Sequence, residues 1–126
     1  MKKNIQSSDY NDYVFKNGEL VGDFENMYKF SKNIPWHQDQ MENLLDIRIT
    51  VEITKRFMPF NYILDFGCGL GYYLKLLENM LSQPKFPKLK LIGYDVSKTC
   101  CEKGSQLFPD IKYFLFDLTN PNAINP

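Results

Sequence analysis

The stretch YILDFGCGLGYYLKLL, Tyr62 to Leu77, decides how this chain is read. It opens with a short apolar run that ends at Asp65 and Phe66. Glycines follow at 67, 69 and 71, with Cys68 between the first two. Leu70, Leu74, Leu77 and Leu81 then recur at helical spacing, with Tyr73 and Met80 beside them, until Gln83-Pro84 stops the pattern. A buried strand that passes through a glycine turn into an amphipathic helix is the opening unit of a parallel α/β sheet. Glycines in such a turn let a ligand approach the main chain closely, with amide groups offered by the helix start.

Spacing narrows the choice of ligand. A dinucleotide fingerprint wants a third Gly or Ala three positions after the second glycine, and that position is Tyr72. Its ring would crowd helix against strand. Asp65, two residues before the first glycine, would repel a pyrophosphate and suits a ligand with a positive group. A tight turn with no ligand at all is the structural alternative.

Downstream, a PKFPK loop leads to a second strand expected over Lys88 to Tyr94 and ending at Asp95. Ser97 is placed to cap a second helix reaching about Phe108, Pro109-Asp110 turns the chain, and a third strand runs from Ile111 to Phe116, ending at Asp117. Strand, helix, strand, helix, strand at this spacing suits parallel crossover connections. Asp95 stands where a carboxylate can accept from both hydroxyls of a ribose, or cap the helix beside Ser97. Asp117 can accept from an adenine amine while the Leu118 amide donates to the ring, or it can form a turn. Three acids at the carboxyl ends of three successive parallel strands converge on one crevice, where open α/β sheets bind ligands.

Upstream the signals are mixed. Residues 1–12 are polar and read as mobile. In YVFKNGELV, Asn17-Gly18 between two apolar runs predicts a hairpin, and Asp23 could cap a short helix bearing Phe24, Met27 and Tyr28 on one side. Pro35 breaks the pattern before Trp36-His37-Gln38. Over 39–57, Ile47, Ile49, Val51 and Ile53 alternate with polar residues as in a strand, yet Met41, Leu44, Leu45 and Arg48 are spaced as in a helix. The length without a turn signal favours helix, with strand the alternative over 46–54. The division that results is an N-terminal extension or lid over 1–38 and a partial Rossmann-like domain over 39–126.

Composition bounds the partners. With 126 residues the chain supports one core. Fifteen basic side chains balance fifteen acidic ones, which disfavours an electrostatic grip on nucleic acid or anionic lipid. No apolar stretch is long enough to span a bilayer, and no secretory signal follows Lys2-Lys3. Three cysteines without a CxxC pair read as reduced thiols in a cytoplasmic protein, with no metal site.

Over Asn61 to Leu118, and above all in LDFGCGLG, the chain resembles the class I S-adenosylmethionine-dependent methyltransferases. The resemblance implies that Asp65 and the loop Gly67, Cys68, Gly69 and Gly71 hold the amino-acid end of the cofactor. It implies that Asp95 and Val96 hold the ribose and adenine edge, and Asp117 and Leu118 the adenine. GDFENMYKFSKNIPWHQ looks like the N-terminal part of some bacterial members, among them relatives of nodulation-factor N-methyltransferases and enzymes of surface-glycan pathways. The implied fold is a doubly wound parallel sheet, here cut after its third strand, which would leave the Asn61–Phe66 strand with an open edge able to self-associate.

Methyl transfer from a sulfonium is chiefly a matter of positioning, and a base is needed only if the acceptor must lose a proton. His37, the sole histidine, is the one candidate, against a role as a hydrogen-bonding neighbour of a helix start. Trp36 and Tyr28 could pack over the sulfonium or simply anchor the N-terminal segment. The leading expectation is a methyltransferase, or its cofactor-binding half, acting on a small-molecule or glycan acceptor. A non-catalytic S-adenosylmethionine-binding interaction module and an NAD-dependent dehydrogenase are the alternatives.

Overall fold

The computed structural model describes residues 6–120. The reading of residues 1–5 and of the tail from 121 on lies outside them. The N-terminal part begins with a single turn of helix, α1 (Asn11–Val14), and a two-residue hairpin, β1 (Phe15–Lys16) with β2 (Glu19–Leu20). Asn17 and Gly18 both have positive φ, 52° and 83°, as a primed turn requires. Helix α2 (Phe24–Phe30) follows, with the Asp23 carboxylate accepting from the Asn26 amide at its start.

Between Pro35 and Asn43 the chain forms tight 3₁₀ turns, and only then does α3 (Leu45–Lys55) begin. The helix expected over 39–57 is therefore shorter. Within that range Gln40 is non-helical (φ −122°, ψ 17°) and Leu44 is extended (φ −74°, ψ 133°), so an α-helix cannot begin before Leu45; just upstream, Trp36 and His37 adopt left-handed backbone, φ 53° and 50°. Helix wins over strand at 46–54. The threonines that mimic strand alternation bond back along the helix, Thr50 Oγ1 to the Asp46 carbonyl (2.9 Å) and Thr54 Oγ1 to that of Thr50 (2.7 Å).

The α/β part holds β3 (Tyr62–Phe66), α4 (Tyr72–Leu81), β4 (Lys90–Asp95), α5 (Lys98–Leu107) and β5 (Ile111–Leu115). The strands are parallel in the order β3-β4-β5, with Ile63 opposite Leu91 and Leu91 opposite Ile111. This is the expected Rossmann-like α/β arrangement of three strands, with β3 and β5 at the edges. Ser97 caps α5 by accepting from the Cys100 amide at 3.0 Å.

Both helices lie on one face of the sheet. A Cβ on Gly93 of β4 would meet Cys68 and Leu74, and one on Gly104 of α5 would meet Tyr113 of β5, which pairs with Gly93. On that face Leu91 and Ile111 are buried together with Val51, Leu74, Leu77 and Leu81. On the other, Tyr62, Leu64, Phe66 and Phe114 each leave about half of their surface in solvent. Phe66, Tyr94 and Phe114 stack in a row there, with ring centroids 4.6 and 5.4 Å apart. A second core joins the two parts of the chain: Val14, Met27 and Tyr28 pack with Leu70 of the glycine turn and Cys100 of α5.

Candidate functional site

The turn from β3 to α4 carries Gly67, Gly69 and Gly71, all with positive φ (82°, 55° and 93°). Their surroundings differ. A Cβ on Gly67 would meet nothing within 4 Å, whereas one on Gly69 would collide with the side-chain amide of Gln38. One on Gly71 would strike the Tyr113 hydroxyl and Ile111. One glycine faces open space, then, and two are demanded by protein packed against them.

The backbone amides of this turn are turned inward. Those of Gly67 and Cys68 both donate to the Tyr94 carbonyl, at 2.7 and 3.0 Å. Gly69 donates to Asp95 Oδ2 (3.0 Å), Leu70 to Gln38 Oε1 (2.9 Å) and Gly71 to the Cys68 carbonyl (3.1 Å). Every N–H from 67 to 71 thus has a protein partner. Unlike a phosphate cradle, the turn spends its own N–H groups on protein acceptors.

Two adjoining clefts open at this end of the sheet. The larger, about 540 Å³, takes in Gly67, Asp95, Val96, Asp117 and Leu118. The smaller, about 320 Å³, takes in Asp65, Gly67, Cys68 and Gly69. Tyr28, Trp36 and Gly67 line both. Volumes of this order are those of small-molecule sites. Gly71 and His37 line neither. His37 is exposed, its ring edge-on to Tyr10 at 6.4 Å.

The three acids sit in different electrostatic settings. Asp95 is 6% exposed, its two oxygens accepting from the Gly69 and Ser97 amides at 3.0 Å each. It is thus both loop anchor and helix-start acceptor, and a carboxylate has lone pairs for further donors. Burial, and secondarily the charge of Asp95, push the carboxyl of Asp65 above its usual range. Asp117 is held below that range by the Thr119 hydroxyl (2.6 Å) and amide (2.8 Å). Its turn-forming role is therefore present, at the mouth of the larger cleft. Burial raises the Cys68 thiol strongly, so it is a neutral wall. Among the described residues no cluster of His, Cys, Asp and Glu is arranged to hold a metal, and no helix is long and apolar enough to cross a membrane.

Sequence reasoning missed two residues. Gln38 is 7% exposed and bonded to both Leu70 and Tyr28, across the N-terminal segment and the glycine turn. Glu25 of α2 accepts from the Ser97 hydroxyl (2.6 Å), the Thr99 amide (3.1 Å) and the Thr99 hydroxyl, joining α2 to the start of α5. These bonds draw the Glu25 carboxyl below its ordinary range. Neither has a local signal, since the partners lie 32 and more than 70 residues away.

The chain matches no family model and no curated protein. Among solved structures it is similar to the plantazolicin methyltransferase BpumL in complex with SAH, at TM-score 0.47 and 24% identity over 67% of this chain. It is also similar to BpumL in complex with a triazolic desmethylPZN analog and SAH, at TM-score 0.49 and 22% identity over 69% of this chain. It spans about a third of the length of those chains, 31% and 34% respectively.

Proposed function

We propose that this chain is an S-adenosylmethionine-dependent methyltransferase, or its cofactor-binding half, with a small-molecule or glycan methyl acceptor. The observation that carries the reading is the inward set of the glycine-turn amides. A ligand at this edge meets Asp65, Asp95 and Asp117, carboxylates suited to a cation and hostile to a pyrophosphate. S-adenosylmethionine fits by its net positive charge: against one carboxylate it brings an ammonium and a sulfonium, with ribose hydroxyls and an adenine amine as further donors. When bound it supplies an electrophilic methyl group.

The roles we assign follow the two clefts. In the smaller one, Asp65 and the loop Gly67, Cys68 and Gly69 would receive the amino-acid end, with Gly71 shaping the turn from behind. In the larger, Asp95 and Val96 would take the ribose and Asp117 and Leu118 the adenine. Trp36 and Tyr28, shared by both, would stand beside the sulfonium, whose charge favours an aromatic face. Residues 1–38 would serve as the lid of the domain over 39–126, and the compartment we assign is the cytoplasm. Because His37 lies outside both clefts, no base is assigned to this chain.

A second reading has its own support. The half-exposed face of Tyr62, Leu64, Phe66 and Phe114 is the kind of surface through which a non-catalytic S-adenosylmethionine-binding module would dock or self-associate. Calorimetric titration with S-adenosylhomocysteine and, separately, NAD tests the cofactor. Saturable binding of the first and none of the second is expected, and binding of NAD alone would falsify the assignment. Turnover assays against a panel of acceptors then separate enzyme from module.

A further inference from the structure

We propose that Gln38 is a positioning residue, whose side-chain amide fastens the Trp36-bearing turn onto the glycine loop and so makes Trp36 the shared wall of the two clefts. The proposal rests on the cofactor reading for its ligand, though not for its geometry. Trp36 and His37 are consecutive left-handed residues without a glycine, a backbone that does not persist unless something downstream holds it.

Gln38 is that restraint. A backbone N–H can only donate, so the Leu70 amide fixes the side-chain oxygen toward the loop, and the NH₂ group then faces the Tyr28 hydroxyl at 3.1 Å. Tyr28 in turn meets the Cys100 thiol of α5. One buried side chain therefore ties the 3₁₀ segment, the glycine turn and α2 together. The absence of a Cβ on Gly69 is what admits it, which gives that glycine a protein partner in place of a ligand. Gln38 lines the smaller cleft and not the larger, and it sets the turn that presents Trp36 to both, so the quenching of Trp36, read without ligand, is what separates positioning from direct contact.

Trp36 is the only tryptophan in the chain, so its fluorescence reports this arrangement directly. Gln38→Met keeps the volume and removes both hydrogen bonds, whereas Gln38→Glu keeps an acceptor for Leu70. Trp36 is already 45% exposed, so in the ligand-free chain Gln38→Met should raise its acrylamide quenching by up to about twofold and weaken S-adenosylhomocysteine binding about tenfold. Gln38→Glu should stay near wild type in both. Wild-type quenching and affinity in Gln38→Met would overturn the proposal, and so would equal loss in both variants, since the acceptor oxygen would then not be what holds the turn. Should Gln38→Met fail to fold, Tyr28→Phe removes only the second partner. Partial unmasking of Trp36 is then expected, and unchanged quenching overturns the proposal. If the wild-type chain shows no saturable binding of S-adenosylhomocysteine, the cofactor reading fails, and the quenching comparison still decides Gln38.

Discussion

The two faces of the three-stranded sheet are built from the same kinds of residue and end up in opposite environments. One packs Leu91 and Ile111 beneath α4 and α5, while the other leaves Leu64, Phe66 and Phe114 half in solvent. Parallel strands are normally apolar on both sides because both sides are covered, and these strands carry that composition with only one cover in place. Stability therefore resides on the helical side, and the bare side contributes surface. The contrast continues into the glycine turn, where Gly69 faces protein and Gly67 faces open space, and into the acids, where Asp95 is buried and Asp117 lies at the mouth.

The largest expected effect tests the faces themselves. Leu91→Ala, from a site 3% exposed, should cost about 2–5 kcal/mol in urea unfolding, while Leu64→Ala should cost less than about 1 kcal/mol. Equal losses would mean that the second face is covered in solution, by a second copy or another surface. Within the turn, Gly69→Ala adds a collision with Gln38 to left-handed strain and should destabilise by about 2–4 kcal/mol. Gly67→Ala meets only the strain, about 1–2 kcal/mol. The same melts rank the two.

Asp95→Ala should weaken S-adenosylhomocysteine binding by about 1–3 kcal/mol and also lower stability, because two amides lose their acceptor. Asp117→Ala, an exposed site bonded through its side chain to Thr119, should leave the urea midpoint at its wild-type position. An Asp95→Ala chain of unchanged affinity and intact circular dichroism removes the ribose role.

The smallest effect is in pH. Asp65 has a folded pKa raised above its unfolded value, so its stabilising share is complete below that unfolded value and fades as pH rises through the folded one. Asp117, depressed in the folded state, contributes in the opposite sense: its share is present above the unfolded value and is lost as pH falls through the folded one. A cationic ligand favours ionised Asp65, so affinity should drop as pH falls through the raised folded pKa of Asp65, and Asp65→Asn should flatten the profile. A pH-independent affinity in the wild-type chain would separate Asp65 from the ligand.

What could be read from the chain was whatever local chemistry decides. Asn17-Gly18 made its turn, Ser97 its cap, and the glycine segment its strand-to-helix connection, because each depends on residues a few positions apart. The Ile47 to Ile53 alternation misled for a physical reason. In α3 only Val51 is fully buried, while Ile49 and Ile53 face outward half-exposed, so the pattern does not track burial. The later start of that helix has no local signal, since nothing in the sequence marks the extended backbone of Leu44. Of the site, the gathering of the acids at one end of the sheet was legible, but their division between two clefts, Asp65 in one and Asp95 with Asp117 in the other, was not. The inward direction of the loop amides was not, since Gln38 and Asp95 reach them from distant segments.

The three free thiols lie at different depths, and this makes the molecule its own clock for opening. Cys101 is partly accessible, with its ionisation pushed up to about 11, so an alkylating reagent at alkaline pH reaches it in the intact fold. Cys100 is sealed between α5 and the N-terminal segment, and Cys68 between the glycine turn and Gly93. Their order of labelling after Cys101 would reveal whether the N-terminal segment peels away before the helices leave the sheet.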